Sequence, residues 1–151
     1  DINMVSAPIM AKERGVILSE IKRDKSGAFD GYIKLKVKTA TKSRSIAGTV
    51  FSDGKPRFIQ IKGITLDAEV GEHMLYTTNA DAPGIIGLLG TICGKHGVNI
   101  ANFHLGRNRP GGDAIALLYL DAPFPEAVLA ELRADPRIDS AKPLQFDVVT
   151  A

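Results

Sequence analysis

The chain has 151 residues, 44% of them apolar, which is enough for a buried core and excludes bulk disorder. Its net charge of +2 is too small to argue for a nucleic-acid or membrane partner, and no apolar run approaches the ~18 residues that a bilayer span needs. Cys93 is the single cysteine, so an intrachain disulfide is excluded, nothing points to secretion, and a cytoplasmic location is the expectation.

Charge divides the chain unevenly. Residues 1–72 carry 13 Lys and Arg against 9 Asp and Glu, whereas residues 73–151 carry 6 against 8. The change places a domain boundary near Glu72, with the basic surface in the first half. Asp1 stands where an initiator Met would, so the chain reads as a segment of a longer polypeptide.

The first half opens on a helix over 4–14; Pro8 lies inside it, so a start at Pro8, with Pro in the first turn, is the alternative, and Gly15 lies past the end. Strands follow. Residues 16–22 alternate in part. Residues 32–39 (YIKLKVKT) alternate fully, with Ile33, Leu35 and Val37 on one face and Lys34, Lys36 and Lys38 on the other. Residues 43–52 and 57–62 flank Asp53–Gly54, a type I′ hairpin signal, and 64–70 reads as a further short strand. The first half is thus a small domain of one helix and an antiparallel sheet.

The second half changes rhythm. A strand over 73–79 leads to a helix over 83–96, marked by Ile85, Leu88, Leu89 and Ile92 at helical spacing. A strand over 99–107, a turn NRPGG at 108–112 and a strand over 114–121 come next. A second helix over 125–134 shows Val128, Leu129 and Leu132, and a last strand spans 137–146, where Pro143 weakens its end or puts it at an edge. The order βαββαβ is that of a ferredoxin-like domain, so the fold class is α+β. Such a sheet has one face for its two helices and an edge open to a second subunit.

The residues with chemistry to offer are gathered around 76–102, YTTNADAPGIIGLLGTICGKHGVNIAN. Asp81 precedes a helix start, where a carboxylate caps free N–H groups; that plain structural role is the more common one for a lone Asp. With Asn79 two residues earlier and Asn99 opening the next strand, an acid and two amides are expected at one end of the sheet. Asp81 suits an ammonium group, and the two carboxamides suit a carboxylate. Pro83 fixes φ and Gly84 lacks a side chain, so a ligand can approach the backbone at the helix N-terminus. A small zwitterion such as a free amino acid fits this set. No catalytic constellation is visible: the serines and threonines lack a base at a recognisable spacing.

NADAPGIIGLLGTICGKHGVNI (79–100) resembles the ACT domain, a ferredoxin-like module that binds amino acids. Together with VSAPIMAKERG (5–15), RSIAGTVFSDGKPRFIQIKG (44–63) and NFHLGRNRPGGDAIALLYLD (102–121), the chain resembles the C-terminal regulatory region of the long-type D-3-phosphoglycerate dehydrogenases. The resemblance implies an intervening allosteric substrate-binding domain over 1–72 and an ACT domain over 73–151. It implies feedback control by L-serine or a similar amino acid, held between two ACT domains whose sheets join edge to edge. Asn79 and Asp81, with the turn at Pro83 and Gly84, would come from one subunit and Asn99 from its partner. The whole enzyme would oxidise 3-phosphoglycerate with NAD at the start of serine biosynthesis. This segment would hold neither cofactor nor catalytic residue: it has no strand-linked G-x-G-x-x-G, and Gly84, Gly87, Gly90 and Gly94 follow a helical pattern that suits close packing on the sheet.

Other features are weighed against plainer roles. His73, His96 and His104 lack metal-ligand spacing, and His96 suits the last turn of its helix. Cys93 reads as a small buried hydrophobe. Lys42, Arg44, Lys55, Arg57 and Lys62 surround the first hairpin. A solvated strand face is the ordinary reading. An anionic effector held by Arg44 and Arg57 is the functional one, since guanidinium forks match phosphate. The basic residues lack interleaved aromatics, which disfavours nucleic acid. Two competing readings are a ligand-free oligomerisation module, and the similar domain pair of iron–sulfur L-serine dehydratases, whose cluster a lone Cys93 does not supply.

Overall fold

The computed structural model describes residues 2–22 and 31–147. The chain forms two compact units, residues 1–30 and residues 31–151.

In the first unit, helix α1 spans Ala7–Glu13 and Pro8 sits in its first turn, where a missing N–H costs nothing. Of the two starts the sequence allows, the helix takes the later one, next to Pro8. Asn3 explains this: its side-chain oxygen accepts the N–H groups of Val5 and Ser6, at 2.9 Å each, and holds the preceding turn. Gly15, at φ 70°, ends the helix. The Gly15 N–H reaches the Lys12 carbonyl at 3.0 Å and the Val16 N–H reaches Ala11 at 2.9 Å, a Schellman closure. The strand expected over 16–22 is not formed; among the described residues these pair with no strand. Val16, Ile17 and Leu18 are three consecutive apolar residues, so no single face is specified there.

The second unit holds two four-stranded antiparallel sheets. Strands β1 (Ile33–Lys38), β2 (Ser43–Val50), β3 (Pro56–Ile61) and β4 (Ile64–Glu69) make a meander in that order. The hairpin at Asp53–Gly54 exists, but its turn is not type I′. Only Gly54 has positive φ, the Gly54 N–H bonds the Phe51 carbonyl at 2.9 Å, and Asp53 takes the Lys55 N–H on its side chain at 2.9 Å. This is a three-residue loop with the glycine in the left-handed region. The two-residue I′ geometry occurs instead at Lys62 (φ 53°) and Gly63 (φ 83°), between β3 and β4.

The second sheet contains β5 (His73–Ala80), β6 (Ile100–Arg107), β7 (Asp113–Leu120) and β8 (Ile138–Gln145), ordered β6-β7-β5-β8. Helix α2 (Ile85–Lys95) follows β5 and helix α3 (Glu126–Ala134) follows β7. This is the ferredoxin-like arrangement that the element order implies. Pro143 lies on β8, an edge strand, where its missing N–H breaks no ladder.

The sheet is buried on both faces. Leu75, Ala116, Leu118 and Leu120 face the helices and pack with Ile85, Leu89, Ile92, Cys93, Val128, Leu129 and Leu132. On the other face, Met74, Ile115 and Leu117 pack with Ile61, Ile64, Leu66 and Ala68 of the first sheet. Gly106 on β6 permits this second contact, because a Cβ there would stand 2.8 Å from Ile64 Cγ2 and 3.1 Å from the Thr65 carbonyl. The period of β1 is as expected, yet both its faces are exposed, with Ile33 at 74% and Leu35 at 63%. It is the edge strand of its sheet and lacks a neighbour on one side.

The helix glycines are a correction. Added Cβ atoms at Gly87, Gly90 and Gly94 would meet nothing within 4 Å. They lie on the outer face of α2, so close packing onto the sheet is not their role. The apolar set Ile85, Leu89, Ile92 and Cys93 takes the inner face and turns the glycines outward.

Candidate functional site

A small cavity of about 150 Å³ opens where β5 ends and α2 begins. Asn79, Asp81, Pro83, Gly84, Ile85, Ile86, Leu105 and Ala114 line it. Four of the sequence-predicted residues therefore meet here: Asn79, Asp81, Pro83 and Gly84. The order of elements explains this. β5 carries Asn79 toward the helix side of the sheet, the chain turns through Asp81–Gly84, and α2 runs back along that face.

Asn79 is 2% exposed. Its Nδ2 donates to the Ala80 carbonyl at 2.7 Å, which fixes the orientation of the amide. Oδ1 is then buried and has no partner among the described residues. A buried acceptor without a donor is costly and uncommon. Thr77, on the same face of β5 and fully buried, also leaves its hydroxyl oxygen without a partner, but it does not line the cavity.

Asp81 does not cap the helix. Its Oδ2 accepts from Arg107 Nη1 at 2.8 Å and from the Gly111 N–H at 3.0 Å, while its own N–H bonds Gly112 at 2.7 Å. The Arg107 hydrogen bond, and then that from Gly111, hold its carboxyl below the usual carboxylate range. Gly111, at φ 69°, turns the β6–β7 loop so that this N–H points inward. Helix α2 begins at Gly84 (φ 90°) with no side-chain cap and no acidic residue in its first turn. Its first N–H groups are therefore unclaimed by a side chain among the described residues, and Ile85 and Ile86 line the cavity. Arg137 is close by: Nη1 lies 4.0 Å from where a Cβ on Gly84 would stand, while Nε and Nη2 grip Asp135 at 2.9 and 2.7 Å. That fork holds the Asp135 carboxyl at about 2.

Asn99 is not in this cavity. It is exposed and donates to Asp121 at the opposite end of the sheet. β5 and β6 are both antiparallel to β7, so they run parallel, and the helix between them returns the chain to the starting end. Ile100 lies across from Leu120, which lies across from His73. At ~3.4 Å per residue, Asn99 is roughly 20 Å from Asn79 in one chain. The expectation of all three side chains at one end of a single sheet is thus corrected.

Arg44 and Arg57 are also apart. Arg57 lies across from Thr49, five residues along β2 from Arg44, or roughly 17 Å. Arg57 bonds Asp53 at 3.0 Å and Asp67 at 3.4 Å and lies 4.6 Å over the Phe51 ring. Lys55 bonds Glu69 at 2.8 Å. This end of the sheet is a mixed-charge network rather than a basic cluster. Arg44 is exposed and, among the described residues, bonds its neighbour's carbonyl, Ser43, at 3.3 Å.

His96 joins Lys95 on Glu131 of α3, at 2.6 and 2.9 Å. Among the described residues no group of three or more His, Cys, Asp or Glu is placed to hold a metal, and no helix is long and apolar enough to cross a membrane. Sequence reasoning missed Arg107. Twenty-six residues separate it from Asp81, and no local pattern announces a pairing that only the sheet order creates.

Residues 1–62 match the family model of the D-3-phosphoglycerate dehydrogenase intervening domain. The chain is 36% identical over 131 residues to a D-3-phosphoglycerate dehydrogenase of Synechocystis sp., covering 87% of this chain and 24% of that protein. It is 32% identical to that of Bacillus subtilis over 141 residues (93% and 27%), and 33% identical to that of Methanocaldococcus jannaschii over 139 residues (91% and 26%). The chain spans about a quarter of the length of the relatives it matches.

Proposed function

From a chain whose similarity to D-3-phosphoglycerate dehydrogenases extends over about nine-tenths of its length, and which resembles their C-terminal regulatory region, we propose that it senses a free amino acid, with L-serine the first candidate. Residues 1–72 act as the intervening domain and residues 73–151 as the ACT domain. The effector occupies the cavity at the end of β5 and shifts the population of subunit arrangements, slowing distant active sites. The enzyme served is a cytoplasmic, NAD-dependent dehydrogenase of serine biosynthesis. NAD itself has no fit here. Both sheets are antiparallel, and the glycine-rich stretch runs along α2 instead of forming a phosphate turn, so no step through the nucleotide is assigned to this chain.

One observation carries the reading: the unpartnered Oδ1 of Asn79. The cavity around it also offers a carboxylate at Asp81 and free helix N–H groups at Ile85 and Ile86. These complement a hydroxyl or ammonium donor and a carboxylate. The volume of about 150 Å³ suits a small side chain. The partner subunit adds Asn99 through edge-to-edge pairing of the sheets.

The test is calorimetric titration of the chain with L-serine, glycine, L-alanine and L-valine, with a thermal-shift series alongside. The reading expects saturable heat for at least one of these at millimolar ligand or below. A flat titration with all four, in a sample shown to be folded, refutes it. A ligand-free oligomerisation module is the second reading, favoured by Asp81 already being held by Arg107 and Gly111; an intact oligomer with a flat titration is its signature.

A further inference from the structure

The Asp81–Arg107 pair has spare valences on both sides. Asp81 accepts its two hydrogen bonds on Oδ2 alone, and Oδ1 takes none among the described residues. Arg107 gives only Nη1 to Asp81, its side chain is 53% exposed, and its other N–H groups have no protein partner among the described residues. Asp81 lines the cavity, so the guanidinium bonded to it at 2.8 Å stands at the rim. A spare acceptor and spare donors thus lie on the two members of one ion pair beside the cavity.

Two nearby side chains are partly engaged, and the N–H groups of Ile85 and Ile86 add to the carboxylate side. Arg137 spends Nε and Nη2 on Asp135. Asn79 exposes only an acceptor, because its amide nitrogen is held by Ala80. No other cationic side chain touches a cavity-lining residue by a hydrogen bond or ion pair among the described residues.

We infer that Arg107 is an effector-binding residue. It binds the α-carboxylate of the amino acid while Asp81 Oδ1 takes the α-ammonium, so that the ion pair is the recognition unit and stays closed when ligand enters. Asn79 Oδ1 is left for a donor on the ligand's side chain or for a second ammonium proton. The inference rests on the amino-acid reading above and adds to it a residue and a requirement: the ligand must carry a free carboxylate. A guanidinium presents two parallel donors to such a group, which an amide does not.

The test compares L-serine with L-serinamide, which keeps the ammonium and hydroxyl but lacks the carboxylate. Both are titrated into the whole chain and into Arg107→Gln and Arg107→Lys, each checked for an unchanged unfolding transition. The parent is expected to prefer serine over serinamide. Arg107→Gln should lose roughly 10- to 100-fold in serine affinity, the range of one hydrogen bond to a charged group, and leave serinamide nearly unchanged. Arg107→Lys should keep part of the preference. If Arg107→Gln weakens both ligands equally, Arg107 only positions Asp81 and the inference falls while the amino-acid reading stands. If the parent binds neither serine nor any other amino acid, the reading itself falls and the inference with it.

Discussion

Replacing Asn79 with leucine separates stability from binding. Asn79 is 2% exposed, and its Oδ1 is buried without a donor among the described residues. Such an orphan costs about 1–3 kcal/mol. Its one bond, Nδ2 to the Ala80 carbonyl, contributes about 1 kcal/mol, and Ala80 is exposed, so that carbonyl turns to water when the amide is gone. Leucine has a similar volume and adds apolar burial against Ala114 and Ile85. The Asn79→Leu chain should therefore be as stable as the parent or up to about 2 kcal/mol more so, raising the midpoint by as much as ~4–8 °C at ~2–4 °C per kcal/mol. Denaturant titration with a fitted midpoint and slope is the assay, and calorimetry on the same sample should find amino-acid binding abolished. Thr77→Val is the matched control. It removes the neighbouring orphan hydroxyl outside the cavity, so it should stabilise and leave binding intact. A destabilisation of Asn79→Leu beyond about 1 kcal/mol would refute the reasoning, since it would mean that Oδ1 already has its partner in the folded chain.

Two glycines should respond in opposite directions. Gly106→Ala should lower the unfolding midpoint, because its Cβ would press on Ile64 Cγ2 at 2.8 Å and the Thr65 carbonyl at 3.1 Å, an overpacking of about 1–3 kcal/mol. Gly90→Ala, in open space at mid-helix, should raise it through a gain of about 0.5–1 kcal/mol. Acid should destabilise through Asp135, whose folded value of about 2 lies below its unfolded one near 3.9. Its contribution is present above pH ~4 and is lost as pH falls toward ~2, and Arg137→Gln should flatten that part of a midpoint-versus-pH series.

The fold was legible where a single face is buried. Val128, Leu129 and Leu132, and Ile85, Leu89 and Ile92, mark the inner faces of two helices at a period that nothing else mimics. The strands of the second half fall within a residue or two of their expected bounds. Legibility failed where the partner decides. Residues 16–22 have strand-like composition but no strand partner among the described residues. Ile33, Leu35 and Val37 alternate correctly on a strand that is exposed on both faces. The helical spacing of the α2 glycines suits the inner face equally well, but the larger apolar residues Ile85, Leu89 and Ile92 occupy it. For the site, residues close in sequence were found together: Asn79, Asp81, Pro83 and Gly84 share one turn. Arg107 arrives from another strand, and Asn99 leaves by helical return to the far end, and both facts belong to topology.

That separation of Asn99 gives the proposed shared site a sharp consequence. β6 is an edge strand, and two copies joined along it by a two-fold axis must run antiparallel. The Asn99 end of one β6 then lies beside the Arg107 end of the other, which is the cavity end. An Asn99→Ala chain and an Asp81→Ala chain each spoil every site of their own homodimers. Mixed and re-equilibrated in equal amounts, half of the dimers are hybrids, and each hybrid joins an intact Asp81 to an intact Asn99 at one of its two sites. Binding capacity should return to about one quarter of the parent's, with parent-like affinity at those sites. Capacity that stays at zero after exchange, with dimers confirmed by ultracentrifugation, refutes the shared site. Parent-like binding by Asn99→Ala alone would place the whole of recognition within one chain, around Asn79, Asp81 and Arg107.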